Sequence, residues 1–531
     1  YKFCGWYDNA AFDGTPLVGW SVGEKNAPVT LYAKWEIMKD DIVFLESFSF
    51  SQNHNSDLPN DLCEAQVITP KMDSIEYTTL SWIENIRFLI PSFSAEGIVY
   101  SNGIEIQSGV TPLDFSEPVQ LVVVKETGSK EYKITLNCPQ TTGLPIVRIS
   151  TKNAVPINSK ETYVYANIQM IDGSNPDNNY ITTEFSEEYA DKIRGRGHAT
   201  WEYEKKPYKI KLNKKMNLLN IGNDKGKDWV LLANYCDKTL LRTAVGFWVN
   251  EKMELSWTPN SRFVDLFVNE EYLGTYQLCE SVSVSEGRIN IPKKTGYLIE
   301  HSRFYELEPK YFVTSQYEFG YFFKHPDSDD LTDVQRENII NFMNSFETSL
   351  AGDGFVDSEK NSYKKYIDSE SFAKWFITHN ILANMDMNYY YYINSLEIGK
   401  LKMGPAWDFE WSIGIGWYEG NRPPPADYWC AKNKYTVRLL QDPEFVSLLQ
   451  TVWNSYKATI QNGIYDYMNQ TASEIKNSRI LNFKRWNIMN SRVSVGGNPL
   501  GSYEAELACD IQFLQNRFLW LDAEIQALSK N

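Results

Sequence analysis

The dominant hydrophobic period of this chain shifts near residue 330, and that shift limits what it can fold into. Before it, short apolar stretches alternate with polar residues and are closed by Gly, Pro, Asn, Asp and Ser, the signature of strands and turns. After it, apolar residues recur at steps of three and four. Thr332-Asp-Val-Gln335 reads as a capping box. Residues 369–385 carry Phe372, Trp375, Phe376 and Ile381 at helical spacing. Leu507, Ile511, Leu514, Phe518, Leu521, Ile525 and Leu528 predict a long amphipathic helix whose stripe is core packing. The fold class expected is multidomain: all-β modules first, then an α+β domain with a strand-rich lobe followed by a helix-rich lobe.

Length supports the division, because 531 residues are too many for one core. Residues 1–37 form short Trp- and Tyr-rich strands. Residues 38–142 alternate in a way that suggests a β-sandwich, immunoglobulin-like in outline, and show no constellation of catalytic type. Residues 143–531 form the third region, entered through a linker at 139–145. The formal charge of −16 excludes general nucleic-acid binding, which needs a basic surface. No apolar run reaches the length of a membrane span. Seven widely spaced cysteines without a Cys-x-x-Cys pair argue against a metal finger. Cys236 and Cys279 lie in apolar runs as core fillers, and Cys63 and Cys138 could pair within one module. A monomer is expected.

Three segments could carry chemistry. The first is basic: Arg194-Gly195-Arg196-Gly197-His198, then Lys205, Lys206 and Pro207 through Leu212. In a strand, Tyr208, Ile210 and Leu212 share one face and Lys209 and Lys211 the other. The lysine face suits solvent. It also suits a phosphate cradle, with Gly195 and Gly197 allowing close backbone approach and Arg196 forking onto phosphate oxygens. The second is Glu280, at the end of a buried strand, facing a cleft edge or solvent. The third is residues 379–414, where Asp386 and Asn388 are followed by a tyrosine run and then by Asp408 and Glu410.

A hairpin between residues 389–394 and 400–403 would bring Asp386, Asn388 and Asp408 together. Carboxylates with an amide oxygen suit Mg²⁺ or Mn²⁺. The same acids could act as a glycosidase pair, or simply cap turns. Phosphoryl transfer needs a cation on phosphate, a held metal and an acid to orient the attacking hydroxyl. The order along the chain is that of a kinase, but no Gly-x-Gly-x-x-Gly loop, His-Arg-Asp or Asp-Phe-Gly triplet is present. An ordinary protein-kinase domain is therefore not supported.

Several motifs in order resemble a known family. They are Arg194 to Trp201 with Lys206 to Leu212; Asp228 to Asn234 with Asp237 and Arg242; Asn269 with Tyr272 to Glu280; and Asn384-Met-Asp386 with Gly404 to Trp411. From about residue 145 to its end the chain resembles the spore coat protein H (CotH) kinase family. The resemblance implies an atypical kinase-like fold, ATP with a divalent ion, and phosphorylation of Ser or Thr on secreted or bacterial surface proteins. By match, Lys211 would hold ATP phosphates, Glu280 would line the nucleotide site, Asp386 would be the catalytic acid and Asp408 would bind the metal. The residues themselves add Arg196 and Lys209 as expected ATP contacts and Asn388 and Glu410 as expected metal ligands. Two positions depart from the family pattern: His198 replaces an Asn, and Glu410 replaces a second Asp. Residues 1–36 resemble the end of a B-repeat, a spacer module of surface proteins. Two further readings are an inactive kinase-like surface adhesin or structural protein, and a glycan-active enzyme.

Overall fold

The structure is a computed structural model. It describes all residues except 25–26, 37–43, 52, 56–62, 79–85, 138–141, 184, 186–188, 224, 256, 387–388, 417–423, 427–431, 494–497 and 529–531. The chain divides into two compact units, Tyr1–Thr141 and Thr142–Asn531. Among the described residues no helix is long and apolar enough to cross a membrane.

In the first unit, β1 (Lys2–Tyr7) and β2 (Tyr32–Glu36) form an antiparallel ribbon with Phe3 opposite Trp35. A three-stranded sheet places β3 (Leu45–Phe50) between β4 (Cys63–Val67) and β6 (Ser92–Ala95). A five-stranded sheet contains β5 (Ser74–Thr78), β7 (Ile98–Ser101), β8 (Ile104–Ile106), β9 (Val119–Lys125) and β10 (Gly128–Asn137). Alternate residues Val119, Leu121 and Val123 are buried, and they share one apolar cluster with Phe48 and Phe50 of the smaller sheet. Tyr77 Oη donates to the Phe48 carbonyl at 2.6 Å, so a polar tip buried between the sheets is satisfied. Cys138 lies outside the described residues.

The second unit begins with β11 (Ile146–Thr151), β12 (Val164–Ile171), β13 (Tyr180–Ile181), β14 (Asp191–Gly195), β15 (Tyr208–Met216), β16 (Gly226–Leu232), β17 (Ser261–Val268) and β18 (Glu271–Glu280). Strand β11 pairs with both β12 and β17, so the sheet closes into a seven-stranded ring with β13 appended to β12. Sequence patterning suggests a strand-rich lobe, as found. The closure was hidden because it depends on the long-range pairing of β11 with β17. The β17–β18 hairpin turns on Asn269 and Glu270, at φ +50° and +67°, the left-handed pair that a two-residue turn of matching twist requires.

Alternation sorts the ring's side chains. Tyr208, Ile210, Leu212, Trp229 and Leu231 fill the interior, while Val230 and Leu232 face outward into a second core. That second core is built on β19 (Tyr297–His301), β20 (Tyr311–Val313), β21 (Gly320–His325), β22 (Tyr389–Ile393) and β23 (Lys402–Met403), which form one five-stranded sheet. It includes apolar side chains of α1 (Arg242–Lys252), α2 (Asp333–Ala351), α3 (Ser369–Leu382), α4 (Lys434–Leu439), α5 (Pro443–Glu474) and α7 (Tyr503–Ala527). Helix α6 (Lys476–Arg485) packs on β18. The capping box at Thr332 is present, and the α7 stripe is buried at Leu514, Phe518, Leu521 and Ile525. Helix α1 starts at Arg242 because the Asp237 carboxylate takes the backbone N–H groups of Thr239 and Arg242, and Leu240 is left-handed.

Candidate functional site

A cleft of about 830 Å³ opens against the outward face of the ring. Its floor comes from β15 and β16, where Lys209 and Val230 project opposite to the ring interior. The basic loop after β14 lines one wall. Glu300 on β19 and Phe322 and Lys324 on β21 line another, and Asp386, Trp407, Asp408, Glu410 and Trp411 complete it.

The basic loop is shaped by packing. A side chain at Gly195 would meet the Trp201 ring at 2.3 Å, and one at Gly197, with φ +87°, would meet Thr200 Oγ1 at 2.1 Å. Sequence alone suggests openings for an anion at the two glycines, but the loop's own side chains fill those spaces. Arg194 lies with its guanidinium 5.0 Å from the Tyr163 ring. Lys209 Nζ pairs with Asp228 at 3.1 Å. Lys206 Nζ donates to the Trp201 carbonyl at 2.6 Å and so supports the loop from beneath.

Residues 379–414 are held by side chains. Helix α3 ends on Ala383 in the left-handed region, which turns the chain sharply. Asn384 then donates to the Asp408 carbonyl at 2.7 Å. Met385 N–H bonds the Trp411 carbonyl at 3.0 Å, and Ile413 N–H the Leu382 carbonyl at 2.7 Å, so the two acidic loops are zipped together. The hairpin of β22 and β23 between them matches the expected strand–turn–strand. Asp408 has φ +63°, an uncommon conformation for a residue with a side chain. Buried Arg242 braces the second loop: Nε and Nη2 donate to the carbonyls of Ser412 and Ile413, while the guanidinium pairs with Asp237 and with Asp510 from α7.

The acids differ in setting. Asp408 opens to the cleft but is otherwise walled by protein. Those walls push its carboxyl up to about 7, the nearby Asp386 and Glu300 add to the rise, and Arg196 opposes it. Asp386, exposed along one edge, is raised first by partial desolvation and lowered by Arg303 and His198. Glu410 is buried and accepts the Cys236 N–H at 2.9 Å. Burial pushes it up to about 7. Lys205 is buried on the cleft floor, its Nζ donating to the carbonyls of Ala233 and Thr275 and to Asn482 Oδ1. Loss of water pushes its ammonium down to about 7, and Glu410 and Asp265 oppose that.

The cleft therefore gathers Arg196, Lys209, Asp386, Asp408 and Glu410 from the residues expected at a site. It does not gather Lys211 or Glu280. Lys211 lies farther along β15 and is exposed. Glu280 is buried, accepts from Asn260 N–H and Nδ2 at 2.9 and 2.8 Å, and lies beside Arg288. Asn388 lies outside the described residues. Among the described residues, no three His, Cys, Asp or Glu side chains converge as a ready-made metal cage. Sequence reasoning named Lys205 and Asn384 only as parts of longer motifs and did not single out Glu300 or Arg303. A charge inside the buried run Tyr297-Leu298-Ile299-Glu300 was the available signal for Glu300.

The family model described as CotH kinase protein matches residues 193–521. That span covers well over half of the chain and nearly all the residues that line the cleft, and the chain belongs to this family. No curated protein matches the chain.

Proposed function

We propose that this chain is an atypical, kinase-like phosphotransferase that takes ATP with Mg²⁺ or Mn²⁺ and phosphorylates Ser or Thr on secreted or bacterial surface proteins. The observation that carries the reading is the facing of opposite charges across one cleft: Asp386 and Asp408 on zipped loops, with Arg196 close enough to act on Asp408. Membership of the CotH kinase protein family supports it. Arg196 and Lys209 would take the phosphates, and Asp386, whose carboxyl is raised, would accept the proton of the attacking hydroxyl.

The donor set fits a divalent ion of the Mg²⁺ type. Such an ion needs only one or two protein carboxylates, with phosphate oxygens and water supplying the rest. Asp408 would hold it, and Glu410, whose Oε1 accepts the Cys236 N–H, would have Oε2 left to join it. When bound, the ion supplies charge neutralisation at the transferred phosphoryl group.

Purified full chain with labelled ATP and Mn²⁺ should transfer phosphate to a protein acceptor or to itself. Asp408→Ala should abolish transfer, a loss of about 10³-fold or more, with unchanged circular dichroism. No ATP binding at millimolar concentration by calorimetry would refute the reading. A second reading, a surface adhesin with an inactive cleft, is favoured by the exposed aromatics Phe3, Trp6 and Trp35 on the β1–β2 ribbon. It expects target binding that survives Asp386→Ala and Asp408→Ala.

A further inference from the structure

We propose that Asn384 is a positioning residue that sets the separation of Asp386 and Asp408, with His379 as its support; the proposal rests on the phosphotransferase reading of the same cleft. Asn384 is fully buried between α3 and the second acidic loop. Its Oδ1 accepts the backbone N–H of Asp386 at 3.2 Å. Its Nδ2 donates to the backbone carbonyl of Asp408 at 2.7 Å and meets Nδ1 of His379 at 3.2 Å. One short side chain therefore ties the main chain of both acids, on loops 22 residues apart in sequence. With Nδ2 as donor, the His379 ring takes the tautomer with Nδ1 unprotonated.

The tie acts where the backbone needs it. Asp408 is held at φ +63°, a region that residues with a Cβ enter at a cost and keep only when their surroundings impose it. The bond from Asn384 falls on the carbonyl of that residue. His379, fully buried at the end of α3 and stacked on Phe409 at 5.3 Å, stops the amide from rotating. A carboxylamide is the one short group that offers an acceptor to Asp386 and donors to both Asp408 and His379. Aspartate at 384 would keep the acceptor, lose both donors and set a negative charge against the Asp408 carbonyl.

The test uses the full chain with Asn384→Asp, Asn384→Ala and His379→Gln. Wild type and variants are compared in kcat, in KM for ATP, in the Mn²⁺ concentration for half-maximal rate, and in hydrogen exchange of peptides covering 384–391 and 407–413. Misplacement of reacting groups by about 1 Å costs on the order of 10²-fold, so kcat should fall by about that factor in both Asn384 variants. KM for ATP should stay within about threefold, since Arg196 and Lys209 are untouched. Half-saturation by Mn²⁺ should rise, exchange in both peptides should quicken, and His379→Gln should show a smaller loss of the same pattern. Variants that keep wild-type kcat and exchange would overturn the proposal, as would folded variants that lose ATP binding as much as kcat. Should an Asn384 variant fail to fold, His379→Gln decides by the same readouts. If the wild type itself neither binds ATP nor transfers phosphate, the enzymatic reading fails. The exchange data still show whether Asn384 ties the two loops.

Discussion

The two walls of the cleft are built on opposite principles. The basic wall, from Arg194 to Lys209, is shaped by steric filling: Trp201 occupies the space left at Gly195, and Thr200 that at Gly197. Its cations end in the cleft on long stems, with Lys209 in a half-exposed pair. The acidic wall, residues 379–414, is fixed by buried polar bonds, from the Arg242 fork to the Asn384 bridge. The contrast suits a site in which acids must hold still and cations must follow a ligand's charge. Long cationic side chains pay little to adapt, whereas a displaced carboxylate loses its geometry.

The comparison breaks most visibly at Arg242. Replacing it by Met leaves Asp237 and Asp510 buried without their cation, and removing one partner of such a group costs about 3–5 kcal/mol. Urea denaturation should show that loss, and a loss below about 1 kcal/mol would mean that the acidic wall is not braced through this residue.

A smaller effect should appear with pH at His379. Burial holds its ring down at about 3, against an ordinary value near 6.5. The unfolded chain then takes a proton below pH 6.5 that the folded chain refuses. Stability from this neutral ring is complete above pH 6.5 and is lost as pH falls toward 3. Between pH 6.5 and 4.5 the wild type should lose up to about 2.7 kcal/mol more than His379→Gln. Equal slopes for the two proteins would remove His379 from the account.

The smallest effect on folding is expected on the basic wall. Lys209→Ala breaks a solvent-reached ion pair and should change stability by less than about 1 kcal/mol. Its effect should fall on ligand binding instead, with ATP affinity lowered about tenfold in calorimetry. A Lys209 variant that unfolds while Arg242→Met does not would reverse the contrast between the walls.

Much of this arrangement was legible before the structure. The faces of β15 followed from alternation, since Tyr208, Ile210 and Leu212 turn into the ring and Lys209 into the cleft. The hairpin that brings Asp386 toward Asp408 followed from strand-forming tyrosines around a Gly-containing turn. What could not be read was set by long-range partners. Lys211 and Lys209 look equivalent in sequence, and only the extent of the cleft along β15 separates them. Glu280 and Glu410 look like site acids by type. Their fates depend on Asn260 with Arg288, and on the Cys236 N–H. Asp510, 268 residues from Arg242, carries no local sign that it completes the brace.

The double burial of β16 bears on how the second unit comes apart. Trp229 and Leu231 belong to the ring's interior, and Val230 and Leu232 to the helical core. Displacing this one strand strips packed side chains from both cores at once. The ring and the helices of Thr142–Asn531 are therefore expected to melt together. Heat should dismantle them in a single cooperative step, and damage to either half is shared by the cleft between them.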